Sequence, residues 1–127
     1  MKILITGGAG YLGSVLTELL LNSSHRVTVV DTFQHGVPSL LHLCEDPALT
    51  VVNIDARKDS IVKYVAEADV VIPLAAVVGA PACGRDGIAS VTTNERAVIA
   101  ICTAARSDQI IIFPNTNSGY GAAGEEA

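Results

Sequence analysis

Residues 2–13 read Lys2-Ile3-Leu4-Ile5-Thr6-Gly7-Gly8-Ala9-Gly10-Tyr11-Leu12-Gly13, and the rest of the chain becomes legible from this stretch outward. Lys2–Thr6 is apolar and halts at glycines, the pattern of a strand buried on both faces. From Gly10 to Leu21, Leu12, Val15, Leu16, Leu19 and Leu20 recur at helical spacing, and Asn22-Ser23-Ser24 closes that helix. The glycines between fit Gly-x-Gly-x-x-Gly through Gly8, Gly10 and Gly13, and equally Gly-x-x-Gly-x-x-Gly through Gly7, Gly10 and Gly13. A glycine-rich turn from strand to helix brings backbone N–H groups and the positive end of a helix dipole close to a pyrophosphate. The alternative is a turn that is merely tight.

The same alternation continues. Arg26–Val30 reads as a second strand that stops at Asp31, and Thr50–Ile54 as a third. Between them, Gly36, Pro38 and Pro47 break the pattern, with room for one short helix around Leu40–Cys44. Asp59 or Ser60 is placed to cap a helix through Ala66 whose buried face is Ile61, Val62 and Val65. Asp69–Leu74 is the fourth strand. A long helix follows from Gly87 to Arg106, with Ile88, Val91, Val98, Cys102 and Ala105 on one stripe. Gln109–Phe113 is the fifth strand. Strands alternating with helices predict an α/β fold: a doubly wound parallel sheet of Rossmann type. Such sheets take ligands beyond the carboxyl ends of their strands.

Composition agrees. Half of the 127 residues are hydrophobic, yet only 4% are aromatic and Trp is absent. The core is therefore built from Val, Ile, Leu and Ala, as parallel sheets are. Thirteen acidic residues against eight basic ones give a net charge of −5. That excludes the basic face of a phosphate-backbone binder, so no nucleic-acid partner is expected. No apolar run reaches the roughly 18–20 residues of a membrane span. Cys44, Cys83 and Cys102 form no Cys-x-x-Cys pair, and the first apolar run is too short for a signal peptide. A cytoplasmic setting and no metal site are the expectation.

Asp31 ends the second strand, where a carboxylate accepts hydrogen bonds from both adenosine ribose hydroxyls and repels a 2′-phosphate. No Lys or Arg lies between Arg26 and Arg57. NAD is thus expected over NADP, with an ordinary turn-forming Asp as the alternative.

Together these residues resemble the extended short-chain dehydrogenases/reductases, in particular the NAD-dependent sugar-nucleotide epimerase/dehydratase group. The resemblance runs along the whole chain. Thr6–Gly13 is similar to the group's Thr-Gly-x-x-Gly-[Phe/Tyr]-[Leu/Ile]-Gly, and Asp31 to its acidic residue. Asp55-Ala56-Arg57 resembles the element near the adenine, and Leu74-Ala75-Ala76 the triplet against the cofactor. Asn94 resembles the group's helical Asn, and Asn115–Gly121 its Ser/Thr-rich segment ending in Tyr-Gly. The resemblance implies that Gly7, Gly10, Tyr11 and Leu12 seat the pyrophosphate, Asp31 the ribose, Asp55 and Ala56 the adenine, and Ala75 and Ala76 the nicotinamide side. Residues 78–83 would begin a substrate loop. It implies Thr116 as the catalytic hydroxyl, with Ser118 competing and a purely structural Thr116 also open. Asp55 could instead only form an Asx turn. The implied activity is epimerisation or dehydration of a nucleotide sugar through transient hydride transfer, in a homodimer joined by the long helix. Ile99 and Ile101, off that helix's main stripe, agree with extra burial.

Two positions depart from the group. Pro73 stands where His often precedes Leu-Ala-Ala, and should end strand pairing there. More seriously, the group's general acid/base is a Tyr with Lys four positions on. After Tyr11, Tyr64 and Tyr120 the fourth residue is Val15, Ala68 and Gly124. The expectation is therefore an amino-terminal NAD-binding portion, 1–127, that stops short of the proton-transfer pair and is inactive alone. Two rivals stay open: an NAD-dependent oxidoreductase of a small carbonyl compound, and a non-catalytic dinucleotide-binding module.

Overall fold

The computed structural model describes residues 1–79, 84 and 86–115. Its strands are β1 (Lys2–Thr6), β2 (Arg26–Asp31), β3 (Leu49–Asn53), β4 (Val70–Pro73) and β5 (Ile110–Ile111). They form one sheet in the order β3-β2-β1-β4-β5, with every pairing parallel. Helix α1 (Tyr11–Asn22) joins β1 to β2, and α2 (Ile61–Glu67) joins β3 to β4. Between β4 and β5 the described residues include a helical run: α3 (Gly87–Val91), a π-helical turn (Thr92–Arg96) and α4 (Ala97–Ala104). A short 3₁₀ turn, Leu41–Leu43, falls inside the irregular stretch.

Side chains alternate across each strand, so the sheet has two apolar faces. On one, Ile3, Ile5, Val27, Val29, Val70 and Ile72 pack against Leu21 of α1 and Leu40 of the loop. On the other, Leu4, Val30 and Val71 meet Ile61, Val65 and Ala68 of the α2 region and Ile101 of α4. Burial on both faces is why the strands read as continuous Val/Ile/Leu runs.

Several expectations need correction. In α2, Ile61 and Val65 are buried, but Val62 is 46% exposed. Ser60 holds the N-cap position without a side-chain cap hydrogen bond, because its backbone is already helical. Pairing does not stop uniformly at Pro73. Leu74 N–H still donates to Thr6 O at 2.9 Å, so the β1 side continues. The missing proline N–H faces β5, and there the ladder does end at Val71 opposite Ile111. β5 is correspondingly only two residues long.

The stripe on the last helix is also different. Ile88, Val91 and Cys102 are exposed, whereas Ala97 and Ile101 are buried. A uniform 3.6-residue period does not hold across the π turn, where one extra residue per hydrogen-bonded loop shifts the phase. Ile101, expected off the stripe, is the residue that enters the core.

Candidate dinucleotide site

The β1–α1 turn is closed by backbone contacts that only glycine permits. Gly7 has φ +72°, and a Cβ there would lie 2.6 Å from Ala75 N. At Gly13 a Cβ would stand 2.5 Å from Gly7 O and 2.6 Å from Gly8 Cα. Gly7 and Gly13 therefore hold the turn against the segment after β4 and hold α1 against the turn. Gly7 N–H donates to Val30 O at 2.7 Å, so the turn is fixed to β2 as well. Ser39 Oγ donates to Ala9 O at 2.7 Å from the irregular loop. Gly10 is the N-cap of α1 and offers no capping side chain. The first-turn N–H groups of a helix lack intrahelical partners, which suits them to an anion.

Asp31, the last residue of β2, is half-buried beside this turn. Its Oδ2 accepts from Ala9 N–H and its Oδ1 from Phe33 N–H, both at 2.9 Å. A carboxylate has about four acceptor positions, so two remain for ligand hydroxyls. The bond to Phe33 is an Asx turn. The turn-forming role and the capacity to accept a ligand thus coexist in one side chain.

After β3, Asp55 makes an Asx turn with Arg57 N–H at 2.9 Å. The Arg57 guanidinium also grips it: Nε lies 2.9 Å from both carboxylate oxygens and Nη2 lies 2.5 Å from Oδ2. These hydrogen bonds hold the Asp55 carboxyl below its ordinary range, burial opposing them only in part. The same pair raises Arg57. Arg57 Nη1 reaches the π turn, donating to Thr92 Oγ1 at 3.2 Å.

After β4, Asn94 binds both backbone polar groups of one residue, Val77. Its Oδ1 accepts from Val77 N–H at 2.7 Å, and its Nδ2 donates to Val77 O at 2.8 Å. Ala75 N–H meets Thr6 Oγ1 at 3.4 Å. The loop that carries Leu74, Ala75 and Ala76 is thus anchored at both sides.

These segments line an open cleft of about 190 Å³ at the carboxyl ends of β1, β2, β3 and β4. Of the residues singled out in the sequence, Gly7, Gly10, Asp31, Asp55, Ala56, Leu74, Ala75 and Ala76 line it. Tyr11 and Leu12 do not; their side chains are 97% and 57% exposed. Asn94 is also absent from the lining and acts on the Val77 backbone instead. Thr116 and Ser118 lie outside the described residues, as do positions 80–83 of the substrate loop. Sequence reasoning gave no role to Thr32, Gln34, His35, Ala89 and Thr93 in the cleft wall, and named Arg57 only within the Asp55-Ala56-Arg57 element. Only Arg57 carried a signal, an Asp-x-Arg spacing directly after a strand.

The donor set fits a dinucleotide. An uncapped helix N-terminus and a close glycine turn face one side of the cleft, two carboxylates end neighbouring strands, and small side chains line the wall after β4. Among the described residues, no cluster of His, Cys, Asp or Glu could hold a metal ion, and no helix is long and apolar enough to cross a membrane.

Known proteins resemble this chain in sequence and fold. The model of the NAD dependent epimerase/dehydratase family matches residues 3–127. A UDP-N-acetyl-alpha-D-glucosaminuronate decarboxylase of Bacillus cytotoxicus is 36% identical over 122 residues, 94% of this chain and 38% of that relative. A UDP-glucose 4-epimerase of Corynebacterium glutamicum is 46% identical over 56 residues, 41% of this chain and 17% of that one. Among solved structures, UDP-glucuronic acid 4-epimerase from Bacillus cereus, in complex with UDP-glucuronic acid and NAD, superposes with a TM-score of 0.87 at 29% identity. That match covers 98% of this chain and 43% of the epimerase. The chain therefore spans about two fifths of the length of the relatives that it matches end to end.

Proposed function

The chain belongs to the NAD-dependent epimerase/dehydratase family, and from that membership we propose that it is the NAD-binding part of an enzyme that acts on a nucleotide sugar by transient hydride transfer. The observation that carries the cofactor is the placement of Asp31. Its carboxylate is held by Ala9 and Phe33 N–H groups beside the Gly7–Gly13 turn, with acceptor positions to spare. Asp31 then takes the adenosine ribose hydroxyls and disfavours a 2′-phosphate. The backbone at Gly7 and Gly10 and the N–H groups of Tyr11 and Leu12 take the pyrophosphate; the exposed side chains of the latter two play no part in that. Asp55 and Ala56 border the adenine, and Leu74, Ala75 and Ala76 border the nicotinamide, with Asn94 holding that wall in place. NAD, when bound, supplies the hydride acceptor.

Thr116 is the hydroxyl we assign to the substrate oxygen, since a hydroxyl both donates to a developing alkoxide and accepts from an alcohol. Replacing it by Val should lower turnover of the enzyme by about 10²–10³ with NAD binding intact. A large loss in Ser118→Ala and none in Thr116→Val would transfer the role. The relatives' activities favour a UDP-sugar substrate over a small carbonyl compound. A homodimer through the α3–α4 run is part of the same reading; Ile88, Val91 and Ile99, exposed there, support it. So is a cytoplasmic setting, supported by free Cys44 and Cys102. The test is calorimetric titration of the protein with NAD and NADP. Tighter NAD binding, lost in Asp31→Asn, is expected. Equal affinity for both dinucleotides in the wild type would overturn the Asp31 argument.

A further inference from the structure

Ser39 lies outside the cleft wall, and the proposed chemistry leaves it without a task. Its position is nevertheless fixed. The next residue, Leu40, is buried in the core that α1 shares with the sheet, and Ser39 itself is half-buried. From there its Oγ donates to Ala9 O at 2.7 Å, across 30 residues of sequence. The stretch leading to it is also held at its start. Phe33 stands in the left-handed region at φ +53°, which is uncommon outside glycine. Its N–H donates to Asp31 Oδ1 at 2.9 Å, and its O accepts from Gly36 N–H at 2.9 Å. Residues 32–39 thus leave the sheet at Asp31 and return to the glycine turn at Ala9, whose N–H donates to the same carboxylate.

The peptide groups of that turn say what Ser39 does. Ala9 O and Gly10 N–H belong to one peptide plane. Gly10 N–H donates to Gly7 O at 3.0 Å, and Ala9 O accepts from Ser39, so the plane is held at both edges. Gly10 is the extended N-cap residue, φ −76° and ψ 179°, directly before the first N–H groups of α1. A turn with several glycines has many backbone conformations open to it. A hydrogen bond from a segment seated in the core restricts them. We propose that Ser39 is a positioning residue that braces the Ala9–Gly10 peptide, so that the N–H groups of Tyr11 and Leu12 are already aimed at the pyrophosphate before the dinucleotide arrives. This rests on the NAD reading above and adds to it a residue outside the cleft that sets affinity. Ordering completed in the free protein is not charged against binding. Without the Ser39 hydroxyl the turn is ordered only when the dinucleotide binds, and affinity falls although every residue of the cleft wall is still present.

The experiment is calorimetric titration of the protein and its variants with NAD, beside urea unfolding of each. The net worth of one neutral hydrogen bond corresponds to a loss of affinity of about 3- to 10-fold in Ser39→Ala. Ser39→Thr, which keeps the hydroxyl, should bind NAD nearly as the wild type does. Ser23 supplies the control: its Oγ donates to Leu19 O at 2.9 Å, a bond of the same kind at the far end of α1. Ser23→Ala should leave NAD affinity unchanged. A merely structural Ser39 would lower the urea midpoint with full NAD affinity in native buffer, and that result would overturn the proposal with the NAD reading intact. Equal losses of affinity in Ser39→Ala and Ser23→Ala, or in Ser39→Ala and Ser39→Thr, would overturn it as well. A wild type that does not bind NAD would overturn the NAD reading and this proposal together.

Discussion

Gly13→Ala sets two effects of opposite sign against each other. Gly13 is buried within α1. Helix propensity alone favours alanine there by about 1 kcal/mol. The structure opposes it: the new Cβ would stand 2.5 Å from Gly7 O and 2.6 Å from Gly8 Cα. Both neighbours are backbone atoms, and neither can rotate aside. Relief requires α1 to lift from the turn. Overpacking of this kind costs about 1–3 kcal/mol, and more where backbone must move. Because backbone must move, the upper end of that range applies, and the steric term is expected to win with a net loss of about 2 kcal/mol after the propensity gain is subtracted. Gly87→Ala is the control. It too is helical, but nothing lies within 4 Å of its Cβ, so it should be neutral or slightly stabilising. Urea unfolding followed by circular dichroism measures both variants, and titration with NAD measures the cleft. Gly13→Ala should unfold at lower urea and bind NAD more weakly; Gly87→Ala should do neither. A Gly13→Ala protein as stable as the wild type, with unchanged NAD affinity, would refute the close-contact argument.

The remaining predictions are shorter. Gln109 Nε2 donates to Val65 O and Ala68 O, both at 2.6 Å, and so caps the carboxyl end of α2; Gln109→Leu should cost about 1–3 kcal/mol in urea unfolding, and an unchanged midpoint would deny it that role. Asp55 is held below its ordinary value of 3.8 in the folded protein, chiefly by its hydrogen bonds to Arg57. A depressed folded value contributes stability at neutral pH that is lost as pH falls through and below that value. The stability gap between wild type and Arg57→Met should therefore close under acid, and a gap that widens as pH falls would contradict the pairing. Asn94→Ala removes two hydrogen bonds to Val77 and should weaken NAD binding more than it lowers the unfolding midpoint. A loss of stability with full NAD affinity would make Asn94 structural only.

Much of the site was legible before any tertiary contact was known. Strand ends were visible because an apolar run stops where the chain leaves the sheet, and Asp31 and Asp55 were found at such ends. Gly7 and Gly10 were legible because a turn that passes close to other backbone admits no side chain. What was not legible was side-chain direction and anything that depended on a partner far along the chain. Tyr11 and Leu12 were grouped with the pyrophosphate by position, and their side chains are exposed. Their sequence positions name the N–H groups at a helix start and say nothing of side-chain direction. The stripe on the last helix failed because the period was carried across Thr92–Arg96 unchanged.

The sequence by itself determined the order of strands and helices, the parallel sheet and the end of the sheet at which a ligand would sit. These follow from local periodicity, glycine and proline placement, and the helix-length crossovers that parallel strands require. Only the tertiary structure decided the phase of the last helix and the composition of the cleft wall. The π turn coincides with side-chain contacts to segments 17 and 35 residues away, Asn94 to Val77 and Arg57 to Thr92. A local pattern records how one element is buried on average. It does not record which distant backbone group a polar side chain will bind, and those contacts are what bring Arg57, Thr93 and Ala89 to the same cleft as Asp31.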